Sequence, residues 1–132
     1  MTLIVDASVA VKWFVEEADS GAARALRGAG RLIAPDFLLL EAFHVLWKRV
    51  GRGLDAPPAL HDLTGALTAS FDALIPSGEL FAAAARHAHL LAHPIYDCLY
   101  IALAEREGAV LLTADEKQFV AARKAGVKAR MV

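Results

Sequence analysis

Cysteine is almost missing from this chain. Cys98 stands alone among 132 residues, which excludes an internal disulfide and a zinc centre built on cysteine pairs, and fits a reducing compartment. Long apolar runs are missing too. Every charge-free stretch falls far short of the 18 or more residues that a membrane-spanning helix needs. The first apolar run, Leu3-Ile4-Val5, is too short to serve as a cleavable leader. The expectation is a cytoplasmic protein with no membrane segment. Net charge is nearly absent as well, at −1 from 14 basic and 15 acidic residues, so no global electrostatic footprint marks a nucleic-acid partner. Four acids gathered in one place would leave 14 basic against 11 acidic residues elsewhere, consistent with a mildly basic rim around an acidic hole.

What the chain does have is apolar surface. Its 57% hydrophobic content excludes the nine glycines, whereas ordinary domains reach roughly 45–50% with glycine included. The length suits one domain over residues 1–132, large enough for a real core. The apolar excess exceeds what a small interior hides, so an oligomer or a bound partner is expected.

Short apolar segments alternate with helical patterns. Leu3-Ile4-Val5 reads as a buried strand, and Asp6-Ala7-Ser8 starts a helix running through Val9, Val11, Trp13 and Phe14. A helix over 20–27 closes at Gly28 and Gly30, 31–34 is a strand, and Pro35-Asp36 opens a long helix ending near Gly51. Pro57-Pro58 begins a helix toward Ser70; strand 71–75 follows, then helices over 79–92 and from Pro94 to Glu107. Ala109 to Leu112 is a strand, 115–124 a helix, and Val127-Lys128-Ala129 a last, weak strand. This alternation implies an α/β fold, a short parallel sheet covered by helices on both faces. Sites in such sheets form at the carboxyl ends of the strands, where both Asp6 and Asp115 fall.

Each acid has an ordinary explanation when taken singly. Asp6 and Asp115 precede helices and can cap them, and Thr113-x-x-Glu116 has the form of a capping box. Asp97 stands in the first turn after Pro94, where a negative charge favours a helix N-terminus. Glu41 is harder to dismiss. Between Phe37 and Trp47 only Glu41 and His44 are not apolar, so the helix reads as largely buried. A buried carboxylate needs a cation, a partner or an opening to water; an Arg or Lys partner is the ordinary alternative. Helical spacing sets Val45, Lys48 and Arg52 along its face. Together, four carboxylates on separate segments suit a hard divalent cation such as Mg²⁺ or Mn²⁺. Without one, each pair at ~5 Å repels by about 3 kcal/mol at an effective dielectric near 20.

Four fragments then carry a resemblance: Ile4-Val5-Asp6-Ala7-Ser8, Leu38-Leu39-Leu40-Glu41-Ala42-Phe43, the segment from Tyr96-Asp97-Cys98 to Ala104, and Leu112-Thr113-Ala114-Asp115-Glu116-Lys117. Their acids are separated by 35, 56 and 18 residues. From Ile4 to about Lys128 the chain resembles a PIN-domain ribonuclease, specifically a VapC-like toxin of a toxin–antitoxin pair. The resemblance implies a three-layer α/β/α fold and a metal site lined by Asp6, Glu41, Asp97 and Asp115, with Ser8 and Thr113 as hydroxyl neighbours. It implies an RNA substrate, a homodimer and a small inhibitory antitoxin. On this reading Asp6 and Asp97 hold the principal Mg²⁺ or Mn²⁺, and Glu41 and Asp115 are further ligands or hold its waters. Lys12, Lys48, Arg49 and Arg52 are candidate phosphate contacts, with solvated surface charge as the plain alternative.

Other readings compete. His87, His89 and His93 suggest zinc or a metal-free histidine ribonuclease, yet no His-Glu-x-x-His is present and a polar helix face explains them. Trp13, Phe37, Phe43 and Trp47 could stack on bases, although packing in a core or interface is the simpler role. A phosphoacceptor signalling domain wants adjacent acids after the first strand, where Asp6 has Val5 and Ala7 as neighbours. A haloacid-dehalogenase-type phosphatase wants an acid at the position of Ser8. A noncatalytic module that kept the fold is the remaining rival, against which the intact acidic set argues.

Overall fold

The computed structural model describes residues 1–53 and 62–132. Five strands form one sheet: β1 (Thr2–Val5), β2 (Arg31–Pro35), β3 (Ala73–Ile75), β4 (Val110–Thr113) and β5 (Ala129–Met131). Their order is β3-β2-β1-β4-β5, and every neighbouring pair is parallel. The helices that connect and cover them are α1 (Ala7–Ala10), α2 (Ser20–Ala25), α3 (Leu38–Gly51), α4 (Leu63–Ala69), α5 (Ser77–Leu91), α6 (Ile95–Glu107) and α7 (Glu116–Lys124). This is the three-layer α/β/α architecture expected from the alternation. Among the described residues no helix is long and apolar enough to cross a membrane.

The central strands lack the in–out alternation of a half-exposed sheet because both faces are covered. Leu3, Ile4, Val5, Ile33, Leu111 and Leu112 are all buried. β1 occupies the middle, with Ile4 opposite Ile33 on one side and Leu111 on the other. Gly30 admits the close entry of β2: a Cβ there would meet the Met1 carbonyl oxygen at 2.6 Å, and the Arg31 amide donates to that same oxygen. α6 is the helix closest to a core element, with every residue from Cys98 to Ala104 buried. Truncating Ile101 or Leu103 to alanine therefore carries the cost of a core cavity, about 2–5 kcal/mol.

Several boundaries differ from the sequence reading. The first helix ends at Ala10 and continues as a 3₁₀ turn, Val11–Trp13. Pro35 closes β2 instead of opening α3. The last strand lies two residues later than Val127–Ala129, at the sheet edge, where burial is too slight to print a pattern on the sequence. The proposed start at Pro57-Pro58 lies outside the described residues. The largest correction concerns α3. It buries Leu38, Ala42 and Leu46, a single i, i+4, i+8 stripe, but Leu40, Val45, Trp47 and Val50 are exposed. Its apolar character serves two faces, only one of which meets the core.

Candidate active site

The β1–α1 and β4–α7 turns lie side by side at the carboxyl edge of the sheet. Val5 pairs with Leu112, and the Asp6 amide donates to the Leu112 carbonyl at 3.2 Å. Asp6 caps α1, accepting from the Ser8 and Val9 amides; Asp115 caps α7, accepting from the Lys117 and Gln118 amides. Ser8 joins the two turns: its hydroxyl donates to Asp6 Oδ1, accepts from the Ala114 amide at 2.9 Å and lies 3.4 Å from Thr113 Oγ1. Thr113 in turn accepts from the Asp115 amide at 3.0 Å. The two hydroxyls thus fix the spacing of the turns that carry Asp6 and Asp115.

Asp6, Glu41, Asp97 and Asp115 line one hollow of about 260 Å³, together with Ser8, His44 and Tyr100. Burial pushes the Asp6 carboxyl up to about 6, against the lowering effect of bonds from Ser8, Thr113 and Val9, while Asp97 adds repulsion. Burial likewise pushes Glu41 up to about 7, opposed by the Tyr100 hydroxyl and reinforced by Asp97 and Asp6. Asp97 is raised by burial and by Asp115, with His93 pulling the other way. These acids sense one another across four segments of chain, and the negative charge of Asp6, Glu41 and Asp97 is unfavourable in a way that a cation relieves.

Glu41 has a partner, though not the Arg or Lys of an ordinary ion pair. The Tyr100 hydroxyl, from buried α6, donates to Glu41 Oε1 at 2.7 Å. Nothing in the sequence marked Tyr100 beyond its place three residues after Asp97, one turn along the same helix face. Asp97 is held from α7: the Gln118 side-chain amide donates to the Asp97 carbonyl oxygen at 2.8 Å. His93 Nε2 lies 2.8 Å from Gln118 Oε1 and 3.4 Å from Asp97 Oδ2. Of the three clustered histidines, then, His93 reaches the site, His87 instead faces Glu105 at 3.2 Å, and His89 is exposed. His93 follows Ala92, which takes up left-handed backbone at φ 49° to end α5.

The candidate phosphate contacts divide. Lys12 pairs with Asp19, and Arg49 pairs with Glu17 at 3.1 Å, so both charges already have carboxylate partners. Lys48 and Arg52 are exposed. The aromatics divide as well. Trp13 is core, donating its indole N–H to the Ala23 carbonyl and packing on Phe71. Phe37 and Phe43 pack against the core from its margin. Trp47 is 55% exposed and stacks on His44, with ring centroids 5.7 Å apart.

Among the described residues, no three carboxylate, imidazole or thiolate groups converge on one point closely enough to hold a metal ion as they stand. The donor set still fits a hard divalent cation in kind: mutually repelling oxygen donors, with hydrogen bonds to the carboxylates of Asp6, Glu41 and Asp115 and to the main chain of Asp97.

Comparison with known proteins follows the same lines. The sequence matches the PIN domain over residues 3–124. It is similar to Ribonuclease VapC3 of Pyrobaculum aerophilum, 34% identical over 124 residues that cover 89% of this chain and 92% of that one. Among solved structures it is similar to PAE2754 from Pyrobaculum aerophilum, with a TM-score of 0.67 and 25% identity over 92% of this chain and 84% of that one. It is also similar in fold to VapC20 of Mycobacterium tuberculosis, a sarcin–ricin loop cleaving toxin, with a TM-score of 0.67 and 16% identity over 95% of each chain.

Proposed function

The chain belongs to the PIN-domain family, and from that premise we propose that its acidic hollow is the active site of a metal-dependent endoribonuclease. The protein is an endoribonuclease of the VapC kind, the toxin of a toxin–antitoxin pair. Asp6 and Asp97 would hold the principal Mg²⁺ or Mn²⁺, with Glu41 and Asp115 as further ligands or anchors for its waters. One observation carries the assignment: four acids from four segments line a single hollow, and the burial of Asp6 and Glu41 is costly for uncompensated charge. A bound cation supplies Lewis-acid stabilisation of phosphoryl oxygens and lowers the pKa of attacking water.

The chain's own residues do the rest. Ser8 and Thr113 keep the Asp6 and Asp115 turns in register, and Tyr100 fixes one oxygen of Glu41. Lys48 and Arg52 offer exposed charge to RNA phosphates. Trp47, stacked on His44 at the hollow, offers a ring face to a base. The exposed apolar side chains of α3, with Phe81 and Tyr96 on α5 and α6, provide surface for a homodimer and for the antitoxin. The lone cysteine, Cys98, is buried, and a cytoplasmic location suits both it and an RNA substrate.

The test is cleavage of a cellular RNA pool with mapped ends. Cleavage should require Mg²⁺ or Mn²⁺, stop with EDTA, leave no cyclic phosphate and vanish in Asp97→Asn. Undiminished cleavage by purified Asp97→Asn protein would sink the assignment. Cyclic phosphate ends that survive EDTA would favour a histidine mechanism.

A further inference from the structure

Gln118 is 1% exposed, yet its side chain belongs to no helix cap or strand ladder. Its two ends serve other groups. The Asp97 backbone oxygen can only accept, so the Gln118 amide nitrogen must face it. That orientation leaves Oε1 toward His93 Nε2 at 2.8 Å, and a carbonyl oxygen there requires the ring nitrogen to carry hydrogen. The same N–H lies 3.4 Å from Asp97 Oδ2. Meanwhile the Gln118 backbone amide donates to Asp115 Oδ1 at 3.3 Å. One residue of α7 therefore touches the main chain of Asp97, the imidazole beside the Asp97 carboxylate, and the carboxylate of Asp115.

We propose that Gln118, acting with His93, is the positioning pair that sets the placement of Asp97 relative to Asp115 and thereby the affinity of the site for its divalent cation. This deepens the metal-site reading above and rests on it. α6 and α7 are separate helices, and the buried amide bridges them at the acids themselves. Removing the bridge leaves both carboxylates present but lets their separation drift. Loss of such supporting partners typically weakens metal binding 10–100-fold.

The experiment titrates Mn²⁺ alone into RNA-free protein, following the free-ion paramagnetic signal, for the unaltered chain, Gln118→Met and His93→Phe. Methionine keeps the buried volume and removes both polar ends; phenylalanine keeps a ring and removes the N–H. The expected result is Mn²⁺ binding weakened at least tenfold in Gln118→Met and severalfold in His93→Phe, with RNA cleavage recovering toward the unaltered rate as Mn²⁺ is raised. Folded variants that bind Mn²⁺ within twofold of the unaltered chain would overturn the proposal, leaving Gln118 a purely structural residue. If Gln118→Met fails to fold, His93→Phe alone decides by the same criterion, because His93 sits at the margin of the core. An unaltered chain that binds no Mn²⁺ removes the metal reading and this inference together, whereas binding that is merely insensitive to the two variants removes only the inference.

Discussion

The β1–α1 and β4–α7 turns use nearly the same local chemistry. Each ends a buried parallel strand, and each has an aspartate that accepts from the amides two and three residues ahead. Their surroundings differ. Asp6 is 5% exposed and its carboxyl is pushed up to about 6, whereas Asp115 is exposed. Helix capping accounts for Asp115 at little cost. It does not account for Asp6, because serine or asparagine caps equally well without a desolvated charge. Burial separates a cap from a charge retained for another purpose.

The sharpest way to break this contrast is Asp6→Asn. The amide keeps the cap and the shape, so the fold should persist, while RNA cleavage should fall about a thousandfold, equivalent to ~4 kcal/mol of lost stabilisation. A loss of less than tenfold, in matched steady-state assays, would reduce Asp6 to the status of a cap. The next effect concerns metal and stability. At a hundredfold excess over its dissociation constant, Mg²⁺ or Mn²⁺ should stabilise the protein by about 2.7 kcal/mol, a rise in Tm on the order of 5–10 °C. Asp6→Asn should show little of that rise in the same scanning calorimetry.

The pH dependence follows with a definite sign. Asp6 and Glu41 are raised from 3.8 to about 6 and from 4.5 to about 7, so the folded state holds more protons than the unfolded state across that window. Their contribution to stability therefore declines as pH climbs from about 4 to about 7 in metal-free protein. Thermal melts in EDTA should show this fall, and Asp6→Asn should flatten it; an unchanged slope would contradict the burial of this charge. The smallest effect belongs to Asp115→Asn. With its cap intact and its side chain exposed, it should lose roughly tenfold in cleavage at limiting metal and less at saturation.

How much of this was readable in advance depended on how local each signal was. Asp6 and Asp115 were legible because an apolar run ends and a cap begins within two residues. Glu41 stood out against an apolar helix, but the inference that the helix is largely buried failed, since composition does not say which of two faces meets the core. The support behind the acids was not legible. Tyr100 reaches Glu41 across 59 residues and Gln118 reaches Asp97 across 21, through packing that no spacing rule encodes. His93 read as an ordinary polar residue because its role depends on Gln118, which carried no signal at all.

The acids of the hollow span the chain from residue 6 to residue 115, with contributions from the β1–α1 turn, α3, α6 and the turn after β4. β1, the innermost strand, is made long before β4, which pairs beside it. A ribosome-bound fragment that stops short of Asp115 carries an unfinished pocket whatever else it has folded. Chain order alone thus delays assembly of the complete acidic hollow until all four acid-bearing segments have been made.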